Sequence, residues 1–381
     1  MKWLSGSKTS EARKWVKQLG DQTKQNRAAA EILKLGADSA PALIEALQTR
    51  DENLLPIYAQ LLVQSGRAAL PALTESLRGD HPLVRRHVAE ILGKIKDPAS
   101  VPVLLEALQG EFFTVRARAA IALGNIGDKR AIQPLTELLK DPEAEARIGA
   151  VTALGNFNEP STFDNMADLL LEDPHIEVRQ AAAKALGRTR HPQALRYLMA
   201  ALADPFWWYE RESEASILLD AIHGMGALAF DALLEALGES EGTVRRFAAI
   251  LLGRLGDQRA IEPLRMALYD THFEVGRAAA EALAGFGPIG LKRLAEALYH
   301  PETWLRQHAI HGLTLSKDKR IVPVILEMLN DPEREVQKQV IQSLGQLGDS
   351  RALPALQAIA LDRRDAEMYK LAKEALEKLK S

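Results

Sequence analysis

Residues 244–270 read VRRFAAILLGRLGDQRAIEPLRMALYD, and most of the 381-residue chain is a set of worn copies of this phrase. A helical segment opens at Val244-Arg245 and closes at Leu252-Gly253, with Gly256 and Asp257 marking a turn. A second, shorter helix is expected from about Pro263 to near Asp270, and the pattern restarts at Val275. A fixed period of this size is the signature of a repeat architecture.

Two columns fix the register. The first runs Val84, Val115, Ala146, Val178, Glu214, Val244, Val275, Leu305 and Val336, in steps of 31, 31, 32, 36, 30, 31, 30 and 31 residues. The second runs Pro41, Pro71, Pro102, Pro134, Asn165, Tyr197, Ala232, Pro263, Arg293, Pro323 and Pro354. Seven of these eleven positions are proline, which fits the first position of a helix, where the missing N–H costs nothing. Both columns place one long step between Val178 and Glu214.

Phrases such as Gly127-Asp128-Lys129-Arg130-Ala131-Ile132-Gln133-Pro134-Leu135 and the run from Val178-Arg179 to Leu186-Gly187 carry a resemblance. The chain resembles the HEAT repeat, in the bacterial form first described in phycobilisome lyases. The resemblance implies an all-α fold, a right-handed α-α superhelix or HEAT-like solenoid of about twelve helix pairs. Each pair in such an array touches only its neighbours. The whole of residues 1–381 is therefore expected to form one array. Residues 1–36 make an N-terminal capping repeat, 37–348 carry the body with an insertion at 204–213, and 349–381 make a C-terminal cap. Helices packed ~8–10 Å apart would give an array about 100 Å long. The family holds scaffolds, chaperone-like proteins, lyases and a few enzymes, so function has to come from a site.

Composition narrows the classes. A net charge of −3 argues against bulk binding to nucleic acid or anionic membrane, which needs a basic surface. With no cysteine, disulfide and thiol chemistry are excluded. No run approaches the ~18 apolar residues of a membrane span, and the first residues lack the apolar core of a signal peptide. The expectation is a cytoplasmic protein, monomeric, without a cofactor.

Within the longer helix, counted from the valine as position 0, positions 0, 4, 5, 8 and 11 are apolar almost throughout, the core stripe of a 3.6-residue period. Positions 2, 3, 6 and 10 are then free, and by analogy with the family they line a concave face. That face is polar towards the ends and carries Ile121, Ile148, Ile217, Phe247 and Ile250 in the middle, edged by Arg118, Arg246 and Arg254. Either these apolar residues belong to a core whose face is slightly rotated, or they form a groove for an extended or helical partner segment.

Position 1 is arginine at Arg85, Arg116, Arg147, Arg179, Arg245 and Arg306, and acids recur four or five residues before the valine column at Asp80, Glu111, Asp141, Asp173 and Glu239. The resemblance implies a buried ladder of ion pairs between repeats, which the planar fork of arginine suits. A phosphate-binding stripe is the competing reading.

The one irregular repeat, 191–226, lacks both the proline and the Val-Arg pair, and contains Phe206, Trp207, Trp208, Tyr209 and Glu210. Four adjacent aromatics in an insertion are hard to bury, and exposed aromatic patches mark interaction sites. At least one of Trp207 and Trp208 is expected to be exposed beside Phe247 and Ile217. Phe113 and Phe273, in shorter turns, are expected to tuck under the next repeat.

Chemistry is sparse. Some members of the broader fold are di-iron hydroxylases built on His-Glu dipeptides, and this chain has none. His308, His311 and Glu281 are weak metal-ligand candidates, with no metal expected. There is no phosphate loop, nucleophile elbow or dinucleotide fingerprint. The reading is a non-catalytic protein–protein interaction scaffold or chaperone-like module that binds a protein or peptide segment. The alternative is a lyase-like helper holding a chromophore or small ligand against a partner.

Overall fold

The computed structural model describes residues 2–208 and 214–380, with side chains over residues 8–379. Among the described residues there are helices and no strands. Eleven helix pairs run from Gln25–Leu35 with Ala40–Ala46 to Arg334–Leu347 with Leu353–Ile359. A single helix stands at each end, Lys2–Gln18 and Ala366–Lys380. The expected twelve pairs are thus eleven, because each terminal segment supplies one helix rather than two. The eleven pairs are the eleven members of the proline column.

The chain forms two compact units, Met1–Ala201 and Leu202–Ser381. In the N-terminal unit the long helices Pro82–Ile95, Phe113–Ile126, Ala144–Phe157 and Ile176–Thr189 lie side by side in chain order. Short helices such as Val101–Ala107 and Ile132–Leu138 form the layer behind them. In the C-terminal unit Gly242–Leu255, Phe273–Ala284, Thr303–Leu315 and Arg334–Leu347 are stacked in the same way. The periodic stripe is the core: Val115, Ala119, Ala120 and Leu123 are buried in one unit, and Val244, Ala248, Ala249 and Leu252 in the other.

The Leu-Gly that closes each long-helix phrase has a packing cause. Gly124 lies inside its helix, where a Cβ would sit 2.6 Å from Ala153 Cα on the next long helix. Gly253 meets Ala282 in the same way, at 2.6 Å from its Cβ. Only a residue without a side chain lets the two backbones come so close, and the many small residues in the next helix complete the fit.

The turns are built from aspartate. After a long helix, Asp128 accepts a hydrogen bond from the Arg130 N–H at 3.0 Å and pairs with the Arg130 guanidinium at 2.6 Å. Asp257 with Arg259 and Asp318 with Arg320 repeat the arrangement. This explains the Gly-Asp-x-Arg phrase as a local side-chain turn. Each opens a short 3-10 segment, so the column prolines sit one or two residues inside the following helix rather than at its first residue. The first-turn N–H groups lack intrahelical partners anyway, so the proline remains tolerated.

No single described helix is long and apolar enough to cross a membrane; Ser216–Gly224 and Gly226–Ala236 reach that length only as a pair bent by 108°.

Candidate protein-interaction surface

The arginine ladder exists, with its pairing displaced by one repeat. Arg116 reaches forward to Asp141 at 2.7 Å, Arg147 to Asp173 at 2.7 Å, Arg245 to Asp270 at 2.6 Å and Arg306 to Asp331 at 2.7 Å. The remaining guanidinium nitrogen of each turns back to the carbonyls that close the preceding short helix. Arg147, for example, donates to Asp141 O and Pro142 O at 2.8 and 3.0 Å. One residue therefore satisfies the end of its own turn and clamps the next repeat. Asp141 and Asp173, six residues before Arg147 and Arg179, are the partners of the arginines one repeat earlier, Arg116 and Arg147. Arg179 accordingly gives its Nε to the Asp173 carbonyl oxygen at 2.7 Å, while the Asp173 carboxylate belongs to Arg147. Arg85 faces Gly110 where an acid would stand and lies 5.9 Å over the Phe112 ring.

Burial pushes the Asp173 carboxyl up, and the hydrogen bonds from Arg147 and the His175 N–H hold it below the ordinary aspartate value regardless. Arg245 does the same for Asp270 as the dominant influence. These arginines are committed to carboxylates and carbonyls, so the stripe is structural and offers little to a phosphate.

The exposed ridge of the long helices follows the expected face at positions 2, 6 and 10 and departs from it in part of column 3. Positions 2, 6 and 10 reach solvent, Ala117 excepted, as at Ile148, Thr152 and Asn156. Position 3 is divided: Phe247, Ala278 and His308 are buried, and a Cβ on Gly149 would sit 2.6 Å from Ala117 O, whereas His87, Arg118, Ala181, Ile217 and Gln339 stay half-buried. In the N-terminal unit Arg118, Ile121 and Ile148 are half-buried. Ile148 borders a cavity of about 310 Å³ with Thr152, Gln180, Lys184 and Arg188. In the C-terminal unit Ile217 and Ile250 are half-buried, and the Arg246 guanidinium lies 4.4 Å over the Phe247 ring. Arg254 pairs with Asp220 at 3.1 Å.

The aromatic insertion is partly a plug. Trp207 is 0% exposed, with its indole N–H unpartnered among the described residues, so it serves the core rather than a partner. Phe206 packs edge-on to Trp207 with centroids 6.1 Å apart. Trp208 is half-buried, stacks on Phe247 at 4.2 Å and donates its indole N–H to Leu202 O at 2.9 Å. Tyr209 and Glu210 lie outside the described residues. The shorter-turn aromatics reverse the expectation: Phe113 is 39% exposed and Phe273 50%. Each stands two residues before the valine column, where the helix N-terminus points its side chain away from the core stripe.

The metal candidates do not converge. His311 and Glu281 form a pair at 2.8 Å, whereas His308 is buried against Phe273 and Trp304. Among the described residues no group of three or more His, Asp or Glu is placed to hold a metal ion. A polar cavity of about 510 Å³, lined by Gln307, His311, Gln339, Gln342, Gln346 and Lys338 among others, occupies this end of the C-terminal unit. The polar residues of this end stand out in the sequence, whereas their enclosure as a cavity depends on how the helices pack.

Comparison with known proteins follows the repeats. A search of the curated proteins finds no match. Among solved structures the chain is similar to the karyopherin Kap121p bound to the SUMO protease Ulp1p, at 14% identity and a TM-score of 0.58, covering 99% of this chain and 49% of that one. It is likewise similar to Kap121p bound to Ste12p, at 14% identity and a TM-score of 0.57, covering 97% of this chain and 49% of that one. At this identity the likeness is one of fold, and the chain spans about half the length of these structures. The family model for HEAT repeats matches residues 70–150, 134–218, 230–290 and 291–377. With the forward-reaching arginines, the glycine contacts and this match over most of its length, the chain belongs to the HEAT-repeat family.

Proposed function

We propose that the chain is a non-catalytic scaffold that binds a segment of another protein along the exposed ridge of its long helices. The observation that carries this is the half-exposed pair Ile121 and Ile148 on the N-terminal unit. Isoleucine on the solvent side of a helix contributes nothing to the core stripe. Here the two stand in adjacent repeats beside Arg118 and the 310 Å³ cavity. Apolar anchors with a polar rim are the anatomy of a protein-binding patch. In the C-terminal unit Ile217, Ile250 and Trp208 on Phe247 offer a second apolar stretch. The similar solved structures are of a karyopherin bound to proteins, which supports the reading by fold analogy.

A lyase-like helper that holds a chromophore or small ligand needs a pocket with convergent polar groups over an apolar floor. The cavity beside Ile148 is lined by side chains of only two adjacent long helices, a geometry better suited to a passing segment than to an enclosed ligand. Panning a displayed peptide library on the intact chain tests the scaffold reading. Selected peptides are expected to lose binding to the double variant Ile121→Glu, Ile148→Glu while its helix content is retained. Peptides that bind both proteins equally would remove this patch from the proposal.

A further inference from the structure

Between the two intact pairs of the C-terminal unit one rung of the arginine ladder is missing, and both partners change there together. One repeat on from Arg245 stands Gly276, and one repeat on from Asp270 stands His300. On either side the pairs Arg245–Asp270 and Arg306–Asp331 are intact at 2.6 and 2.7 Å. The room at Gly276 is filled by the His308 ring, whose Nε2 would lie 2.9 Å from a Cβ there. His300 packs its ring against Tyr269, centroids 5.3 Å apart, and accepts the Glu302 N–H at Nδ1. A coordinated departure from a rule obeyed on both sides marks a place put to another use.

The edge beside this junction is aromatic and acidic. Met266, Tyr269 and Tyr299 are 60%, 41% and 65% exposed. A cavity of about 410 Å³ opens next to Tyr299, lined also by His300, Pro301, Met328 and Pro332. The Tyr299 hydroxyl donates to Glu327 at 2.8 Å. Glu302 and Glu333 follow the two lining prolines, and both are exposed, as is Glu327. The Arg306 guanidinium in the lining is consumed by Asp331 and by the carbonyls of His300 and Pro301. Carboxylates therefore border Tyr299 and the guanidinium in the cavity lining is already spent, while beside Tyr269 the Arg265 guanidinium is paired with Glu262 at 2.7 Å.

We propose that this edge binds an extended segment of a partner protein that carries arginine or lysine. A cation is attracted to the face of a tyrosine ring, and the carboxylates beside Tyr299 supply the complementary charge. Tyr269 and Tyr299 occupy the same position in consecutive repeats. Neighbouring helices lie ~8–10 Å apart, which matches the ~9 Å advance of three residues in an extended polyproline-type segment. A segment with a basic residue at every third position would meet one tyrosine per repeat. This surface is separate from the Ile121–Ile148 ridge, so either can fail without the other.

The test is fluorescence anisotropy of the intact chain with a labelled dodecapeptide of Pro-Pro-Arg triplets, against its Pro-Pro-Glu counterpart and a labelled oligonucleotide. The arginine peptide is expected to bind saturably, and Tyr299→Ala and Glu327→Gln are each expected to weaken it about tenfold. Both residues are exposed, and circular dichroism checks that the fold is kept. A control that removes exposed acids elsewhere, Glu137→Gln with Glu172→Gln, is expected to leave affinity unchanged. No binding of the arginine peptide overturns the proposal, as does equal weakening by the control, which would mean diffuse charge attraction. Preference for the glutamate peptide or the oligonucleotide overturns it as well.

Discussion

Arg147 holds Asp173, 26 residues further along the chain, by two parallel hydrogen bonds of 2.7 and 3.0 Å, and both side chains are buried. The pair joins consecutive repeats at their turns, and its geometry is the bidentate fork that a guanidinium offers a carboxylate. Arg147→Ala leaves a buried carboxylate without its partner and is expected to cost about 3–5 kcal/mol. Urea unfolding of the two proteins measures it. Arg179→Ala leaves the Arg147–Asp173 pair in place, so Asp173 keeps its carboxylate partner in that variant.

Close helix contact at Gly124 gives a second expectation. Gly124→Ala drives a methyl group to within 2.7 Å of the Ala153 Cβ and is expected to destabilise the chain by about 1–3 kcal/mol. Ala153→Gly in the same chain relieves the Cβ part of the clash. The double variant should therefore be less destabilised than the sum of the two single changes, a coupling that a double-mutant cycle reads directly.

Trp207 is buried and Trp208 is not fully so, and the two should separate in mutagenesis. Trp207→Ala is expected to lose about 3–5 kcal/mol, the scale of emptying an aromatic site in a core. Trp208→Ala removes a ring stacked on Phe247 and should cost less, with a larger share of its effect on binding of selected peptides. Thermal melts and peptide affinities measured on the same preparations check the contrast.

His308 gives a pH dependence. Burial, and then the charges of His311 and Arg277, lower its pKa from 6.5 to about 4. The folded chain therefore resists protonation that the unfolded chain accepts. Above pH 6.5 both states are neutral at this group and it adds no slope. As pH falls from 6.5 towards 4 the unfolded state takes up the proton first, so stability declines across that window, by an amount on the order of 1–3 kcal/mol. His308→Gln should flatten the decline, as urea midpoints between pH 7 and pH 4 will show.

What could be read in advance followed from periodicity. The valine and proline columns gave the helix register, and Val84, Val115 and Val244 are buried where a 3.6-residue period puts them. Periodicity is also why the ladder was misassigned. In a repeat, the acid six residues before an arginine and the acid one repeat after it belong to the same column. Asp173 precedes Arg179 and follows Arg147, and only three-dimensional contact distinguishes the two. Column 3 of the expected face is divided for a related reason. Gly149 and Phe247 are buried there while Arg118 and Ile217 are not, and burial depends on how closely the next helix approaches. Trp207 lies in the insertion, where no neighbouring copy indicates which way a side chain faces.

The claim that the ridge of the N-terminal unit receives a protein segment is tested most directly by hydrogen exchange on the intact chain, with and without a peptide selected on it. Ligands of a helical ridge shield the amides of the helices they cover and slow local opening. The account predicts added protection concentrated in Phe113–Ile126 and Ala144–Phe157, abolished by Ile121→Glu with Ile148→Glu. Protection confined to the short helices of the opposite layer, or unchanged in that variant, would contradict it.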